Sequence, residues 1–116
     1  MAECCSGGTK LLYACSGACD LGNASDLAAR KLMKDGYAKM TCVAAVAAGL
    51  PAFIESAKGA TAIAIDGCGM LCAKKILEAA GAKPVSYALT DLGYVKGQTP
   101  VTDALVSNIA KRIAAK

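Results

Sequence analysis

Apolar and polar positions follow one another along this chain in short blocks of two alternating kinds. Runs of about five apolar, partly β-branched residues are typical of buried strands, and apolar residues that recur every three or four positions are typical of helices. Four strands are predicted, at residues 10–15, 37–42, 61–66 and 84–89. Helices are predicted at residues 25–35, at 43–59 with a break at the Gly-Leu-Pro of 49–51, at 70–80 and from residue 99 onward.

Residues with known positional preferences set the expected helix limits. Asn23 or Ser25 is expected to cap the first helix, and Gly81 to follow the third. Thr99 with Pro100 is expected to begin the last helix, because proline is favoured at the first helical position.

Strands that alternate with helices at this spacing predict βαβ units and an α/β fold. We expect a single-domain three-layer sandwich, with a mostly parallel four-stranded sheet in the order 2-1-3-4 and helices on both faces. Residues 1–9, rich in Cys and Gly, are expected to form a flexible tail before a domain at residues 10–116.

The composition of the chain argues against some classes of function and favours others. The formal charge of +4 is small, the basic residues are scattered and aromatic residues make up only 4%, which argues against nucleic-acid binding. No apolar run is long enough to span a membrane, and no leader-like segment opens the chain. Seven cysteines in such a chain predict a soluble protein of the reducing cytoplasm, in which thiols serve as metal ligands or redox centres.

The positions of the cysteines indicate a site. Cys15 and Cys42 end the first two predicted strands, and Cys68 follows the third. In the order 2-1-3 these strands are neighbours, and ligands of open parallel sheets bind at the carboxyl ends of the strands. Cys72 lies four residues after Cys68, so that on a helix the two would share a face and could chelate together. Four thiolates in a tetrahedron are typical of a closed zinc site.

The same residues resemble a known family. The segments Cys15-Ser16-Gly17, Lys39-Met40-Thr41-Cys42 and Ile65-Asp66-Gly67-Cys68, with Cys72 behind them, are similar to those of the DGC-domain family, named for a central Asp-Gly-Cys motif. The resemblance implies a metal ion, Zn²⁺, chelated by Cys15, Cys42, Cys68 and Cys72. It implies no biochemical role, and an enzymatic activity is not expected.

Several alternatives stay open from the sequence. The CxxxC spacing of Cys15 with Cys19 equals that of Cys68 with Cys72, so spacing alone would replace Cys42 by Cys19. Cys4 or Cys5 of the tail offers a further thiol, and Asp66 could bond backbone N–H groups beside the cluster. Redox cycling of the CxxxC dithiols or an iron–sulfur centre would use the same residues. Protein partners are not predicted, and a homo-oligomer stays open.

Overall fold

The computed structural model describes residues 9–115 of the chain. Four strands form one parallel sheet in the order β2-β1-β3-β4. They are β1 (Lys10–Ala14), β2 (Lys39–Met40), β3 (Thr61–Asp66) and β4 (Val85–Ala88). The predicted α/β class, parallel pairing and strand order are confirmed. The tail predicted at residues 1–9, with Cys4 and Cys5, lies outside the described residues except for Thr9.

Five helices connect the strands or follow them. They are α1 (Asp20–Lys34), α2 (Val43–Ala47), α3 (Pro51–Gly59), α4 (Cys72–Ala79) and α5 (Asp103–Ala114). The predicted break between α2 and α3 is confirmed: Gly49 has a φ of 80° and Pro51 is the first residue of α3. A short 3₁₀ helix, Leu89–Leu92, follows β4. Within residues 9–115 none of the helices combines the length and the apolar character that crossing a bilayer requires.

The sheet separates two hydrophobic cores, because successive residues of a strand point to opposite faces. Leu12 and Ile65 belong to the core beneath α1 and α5, which we call the α1/α5 face. Tyr13 and Ala64 belong to the core beneath α2, α3 and α4, which we call the α2–α4 face. Each fully buried Leu or Ile contributes about 1.5–3 kcal/mol relative to exposure. The two cores hold the strand ends, and the turns that follow them, in a fixed order along one edge.

Two helices begin elsewhere than predicted. α1 begins at Asp20, five residues before the predicted start, because the Cys19 sulfur caps it by accepting a hydrogen bond from the Gly22 N–H at 3.3 Å. The prediction that Asn23 or Ser25 caps this helix is therefore wrong. α4 begins at Cys72 rather than at residue 70.

The last helix also begins later than predicted. Thr102 caps α5 by accepting a hydrogen bond from the Leu105 N–H at 3.1 Å, and Asp103 is the first helical residue. Thr99, the predicted cap, instead donates its N–H to the Asp20 carboxylate at 2.9 Å. A contact between residues 79 positions apart in sequence thus keeps Thr99 and Pro100 outside the helix.

Candidate metal centre

The carboxyl ends of three neighbouring strands each lead into a cysteine. Cys15 directly follows β1, Cys42 comes two residues after β2, and Cys68 comes two residues after β3. Cys72 is the first residue of α4. Because β1 lies between β2 and β3, the three turns that carry these four cysteines lie along the same edge of the sheet.

Cys15 is the most firmly held of these thiols. Its sulfur accepts the Gly67 N–H at 3.3 Å and lies 3.3 Å from the Ser25 hydroxyl oxygen. Ser25 is fully buried in α1 and donates its own proton to the Gly22 carbonyl at 2.8 Å. The proton between Cys15 and Ser25 therefore belongs to the sulfur while Cys15 is a thiol. A deprotonated sulfur keeps the Gly67 donor and can receive the Ser25 hydroxyl as a second one.

The turns approach one another through glycine backbones. A Cβ atom on Gly67 would lie 2.5 Å from the Leu21 carbonyl carbon and 2.7 Å from the Gly22 nitrogen. A Cβ atom on Gly22 would lie 2.6 Å from the Gly17 carbonyl oxygen. The turn after β3 therefore packs directly on the first turn of α1, and only glycine fits at these two contacts.

Asp66 organises the turn that carries Cys68. Its carboxylate is 1% exposed and accepts the N–H groups of Ala73 at 2.7 Å and Lys74 at 3.1 Å. An acceptor seven residues upstream thus occupies the free donors at the start of α4, where a capping side chain usually lies. This agrees with the role predicted for Asp66, bonding backbone N–H groups beside the cluster.

The chain between Cys68 and Cys72 forms a turn rather than a helix. The Leu71 N–H donates to the Cys68 carbonyl at 3.2 Å, and Leu71 itself has left-handed backbone angles (φ 54°, ψ 47°). The expectation that Cys68 and Cys72 share one helix face is therefore wrong. The two thiols instead lie at the two ends of a tight turn, with Cys72 exposed and Cys68 half-buried.

Cys19 lies in a different environment from Cys15. It packs against the core of the α1/α5 face, whereas Cys15 packs against the core of the α2–α4 face. Its sulfur is also engaged as the cap of α1. The two CxxxC pairs have the same spacing but different structures: Cys19 is the N-cap of α1, whereas Cys72 is the first residue of α4.

A strap at residues 93–102 crosses from the 3₁₀ helix to α5 and is tied to the start of α1. The Asp20 carboxylate accepts N–H groups from Gly97 and Thr99, both at 2.9 Å, and from Leu21 at 2.8 Å. The bonds from Gly97 and Thr99, more than that from Leu21, lower the pKa of Asp20 below its ordinary 3.8. Asp20 therefore stays a carboxylate at neutral pH and holds the strap beside the cysteine-bearing edge.

Cys15 and Cys42 are among the residues that line one cleft of about 620 Å³, between α1 and the corner that joins β2 to α2. Within residues 9–115, no group of three or more Cys, Asp or Glu side chains lies together closely enough to hold a metal ion. All five described cysteines are free thiols. The structure thus brings the predicted ligands to one edge and leaves their side chains apart.

Three positions that hold this edge together were not predicted from the sequence. Ser25 was predicted only as a possible helix cap, and Gly22 and Asp20 were not singled out. Each of them acts through a residue distant in sequence, and Ser25 and Asp20 do so through a side chain. The sequence feature that could have indicated the role of Ser25 is a small polar residue at a position of α1 that faces the core.

Comparisons with known proteins identify a family and a curated relative. A family model described as the DGC domain matches residues 11–113. The anaerobic and virulence modulator AnvM of Pseudomonas aeruginosa is 34% identical over 68 residues, which cover 58% of this chain and 52% of AnvM. The chain therefore spans about half the length of that curated relative. No solved structure matches the chain.

Proposed function

Because this chain belongs to the DGC domain family, we propose that it binds one zinc ion through the thiolates of Cys15, Cys42, Cys68 and Cys72. The ion would serve metal handling, sensing or structure in a reducing cytoplasmic environment, which keeps the thiols available. The observation that carries the proposal is the position of all four cysteines on the three turns at the carboxyl edge of strands β2, β1 and β3.

Closing the site requires movements of unequal size. Neighbouring strands lie about 4.8 Å apart, and four sulfurs at about 2.3 Å from a tetrahedral zinc ion are about 3.8 Å from one another. By strand spacing, Cys15 needs to approach each neighbouring thiol by roughly one ångström. Cys42 and Cys68 follow the strands on either side of β1, two strand spacings apart, and need to approach each other by about 6 Å. Zinc binding would therefore combine rotation of side chains with a rearrangement of the turns that follow β2 and β3.

The hydrogen bonds and exposure of the thiols fit such a closure. Cys15 is anchored by the Gly67 N–H, a donor that suits a metal-bound thiolate. Cys42 occupies the N-cap position of α2 without a side-chain capping bond, and both Cys42 and Cys72 are exposed. One fixed ligand and more accessible partners allow an ion to bind first at Cys15 and to draw the others in.

Cys42 is favoured over Cys19 as the fourth ligand. The Cys19 sulfur would have to give up its bond to the Gly22 N–H and leave its packing on the α1/α5 face. Cys42 would give up neither kind of contact at its helix start. The donor set of four thiols suits zinc, and it would also suit an iron–sulfur centre.

Elemental analysis of protein purified without oxygen tests the proposal. We expect about one zinc per chain in a colourless protein, in line with a structural four-thiolate site. Cys68→Ser and Cys72→Ser should each release the zinc, whereas Cys19→Ser is the matched control that should retain it. Brown protein containing iron would favour an iron–sulfur centre. Metal-free protein with a reversible disulfide would favour thiol redox chemistry.

A further inference from the structure

The cleft between α1 and the β2–α2 corner has an unusual lining. Two cysteines and two methionines are among the residues that line it, namely Cys15, Met33, Met40 and Cys42. Sulfur donors of this kind select soft metal ions, because thioethers in particular bind hard cations poorly.

The carboxylate of this cleft is already occupied. The Asp26 carboxylate accepts the Arg30 Nε–H at 2.9 Å through one oxygen and the Ser16 hydroxyl at 3.0 Å through the other. An ion that entered the cleft would have to disturb these bonds to gain a carboxylate ligand. A soft ion, which prefers sulfur to the neutral hydroxyl of Thr41, would find its donors in the cysteines and methionines.

The four sulfur-bearing residues are not equivalent in position. Met40 and Cys42 are two residues apart on one segment, and Cys15 follows β1, the strand that pairs with Met40 through Leu12. Asp26 contacts Ser16, the residue after Cys15, and so marks the end of the cleft nearest this cysteine. Met33 lies seven residues beyond Asp26 on α1, which is about 10 Å farther along the helix axis. Met33 therefore marks the far end of the cleft, and Met40 lies on the segment that carries Cys42.

We propose that this cleft is a Cu(I) site in which the thiolates of Cys15 and Cys42 and the thioether of Met40 bind one ion. A filled-shell monovalent ion is satisfied by two or three sulfur ligands, so it does not require the four-thiolate cluster that zinc requires. Binding releases two thiol protons to solvent and leaves a site with a net charge of −1. No oxidant or reductant takes part.

The Cu(I) site goes beyond the zinc proposal and does not rest on it. The two sites share Cys15 and Cys42, so the two metals compete for one chain. Cu(I) binding uses Met40 and neither Cys68 nor Cys72, whereas zinc binding uses both of these cysteines and no methionine. Different variants therefore test the two proposals.

The test is a titration of the metal-free full-length protein with Cu(I), without oxygen, in competition with the coloured Cu(I) chelator bathocuproine disulfonate. Met40→Leu should weaken Cu(I) binding by about tenfold or more, at least the loss seen when an outer-shell partner of a metal is removed. Met33→Leu is the matched control from the same cleft and should stay within about twofold of the unmodified protein. Because Leu and Met have similar volumes, both variants should fold, which circular dichroism checks.

Two further variants complete the design. Cys72→Ser should keep its Cu(I) affinity, and the double variant Cys4→Ser/Cys5→Ser should keep it as well. Unchanged affinity in Met40→Leu, an equal loss in Met33→Leu, or loss in Cys72→Ser or in the tail variant would each overturn the Cu(I) site.

Zinc binding measured on the same proteins separates the two proposals. Zinc retained by Cys72→Ser would overturn the zinc proposal and leave the Cu(I) site standing. Met40→Leu should bind zinc as the unmodified protein does, so a parallel loss of both metals in this variant would contradict a thioether ligand specific for Cu(I).

Discussion

Replacement of Gly67 by alanine tests how the cysteine-bearing edge is assembled. The added Cβ would lie 2.5 Å from the Leu21 carbonyl carbon and 2.7 Å from the Leu21 oxygen, about 1 Å inside ordinary contact distance. Both are backbone atoms of a packed helix, so they cannot move aside as the end of a side chain can. Overpacking of this kind costs about 1–3 kcal/mol, and the rigid neighbour favours the upper end.

The damage should extend to the thiol. If α1 and the β3 turn are pushed apart, the Gly67 N–H moves away from the Cys15 sulfur, which it now meets at 3.3 Å. We therefore expect Gly67→Ala to lose stability and, in the metal-loaded protein, to hold zinc less tightly. A loss of about 3 kcal/mol corresponds to a fall in melting temperature of roughly 10 °C or more for a domain of this size.

The matched control stands two residues away, on the other side of Cys68. A Cβ atom on Gly69 would meet nothing within 4 Å, and the backbone there does not need glycine, so Gly69→Ala should be neutral or slightly stabilising. Urea denaturation and thermal melting of both variants in the metal-free state measure the difference. If Gly67→Ala unfolds within about 0.5 kcal/mol of the unmodified protein, or if Gly69→Ala is equally damaged, the close backbone contact is refuted.

Three further predictions concern the same region. Gly22→Ala should destabilise the fold by about 1–3 kcal/mol while Gly17→Ala is tolerated, because only the first Cβ would overlap its neighbour; chemical denaturation of the pair measures this. Asp20→Asn should lower stability at neutral pH but not near about pH 2: a depressed folded-state pKa adds stability above the unfolded-state value and loses it as the pH falls through the folded-state value. The urea midpoint of this variant should therefore lie below that of the unmodified protein at neutral pH, and the two midpoints should converge at the low pH. Ser25→Ala should cost about 1 kcal/mol by removing a buried hydrogen bond to the Gly22 carbonyl, again measured by urea denaturation.

The sheet was predictable from sequence because its information is local. β3 consists of apolar, partly β-branched residues between polar ends, and β1 is a short apolar run that begins at a single lysine. Once strands and helices alternate, the right-handed crossover leaves few parallel topologies, and the order β2-β1-β3-β4 is one of them. The cysteine-bearing turns lie at a common edge because parallel strands all end at the same edge of the sheet.

The helix starts were harder to predict because each depends on an unusual or distant acceptor. A cysteine caps α1, although Ser, Thr, Asp and Asn are the residues that commonly do so. The Asp66 carboxylate serves the start of α4 from the end of a strand, and Asp20 holds Thr99 outside α5. A pattern read along the chain contains the residue types but not the contacts that assign their roles.

Backbone strain beside the thiols could not be predicted from the sequence. Among residues 9–115, the non-glycine residues with positive φ are Ser16 and Leu71, which directly adjoin Cys15 and Cys72. Left-handed backbone costs an L-residue about 1–2 kcal/mol, and it persists where surrounding contacts enforce it. Here the Ser16 hydroxyl is bound to Asp26, and the Leu71 N–H is bound to the Cys68 carbonyl. Glycine would adopt either turn without strain but would leave it looser. The chain instead holds two strained turns with side chains directly beside two thiols, and strained backbone of this kind is more common at functional sites than elsewhere in a fold.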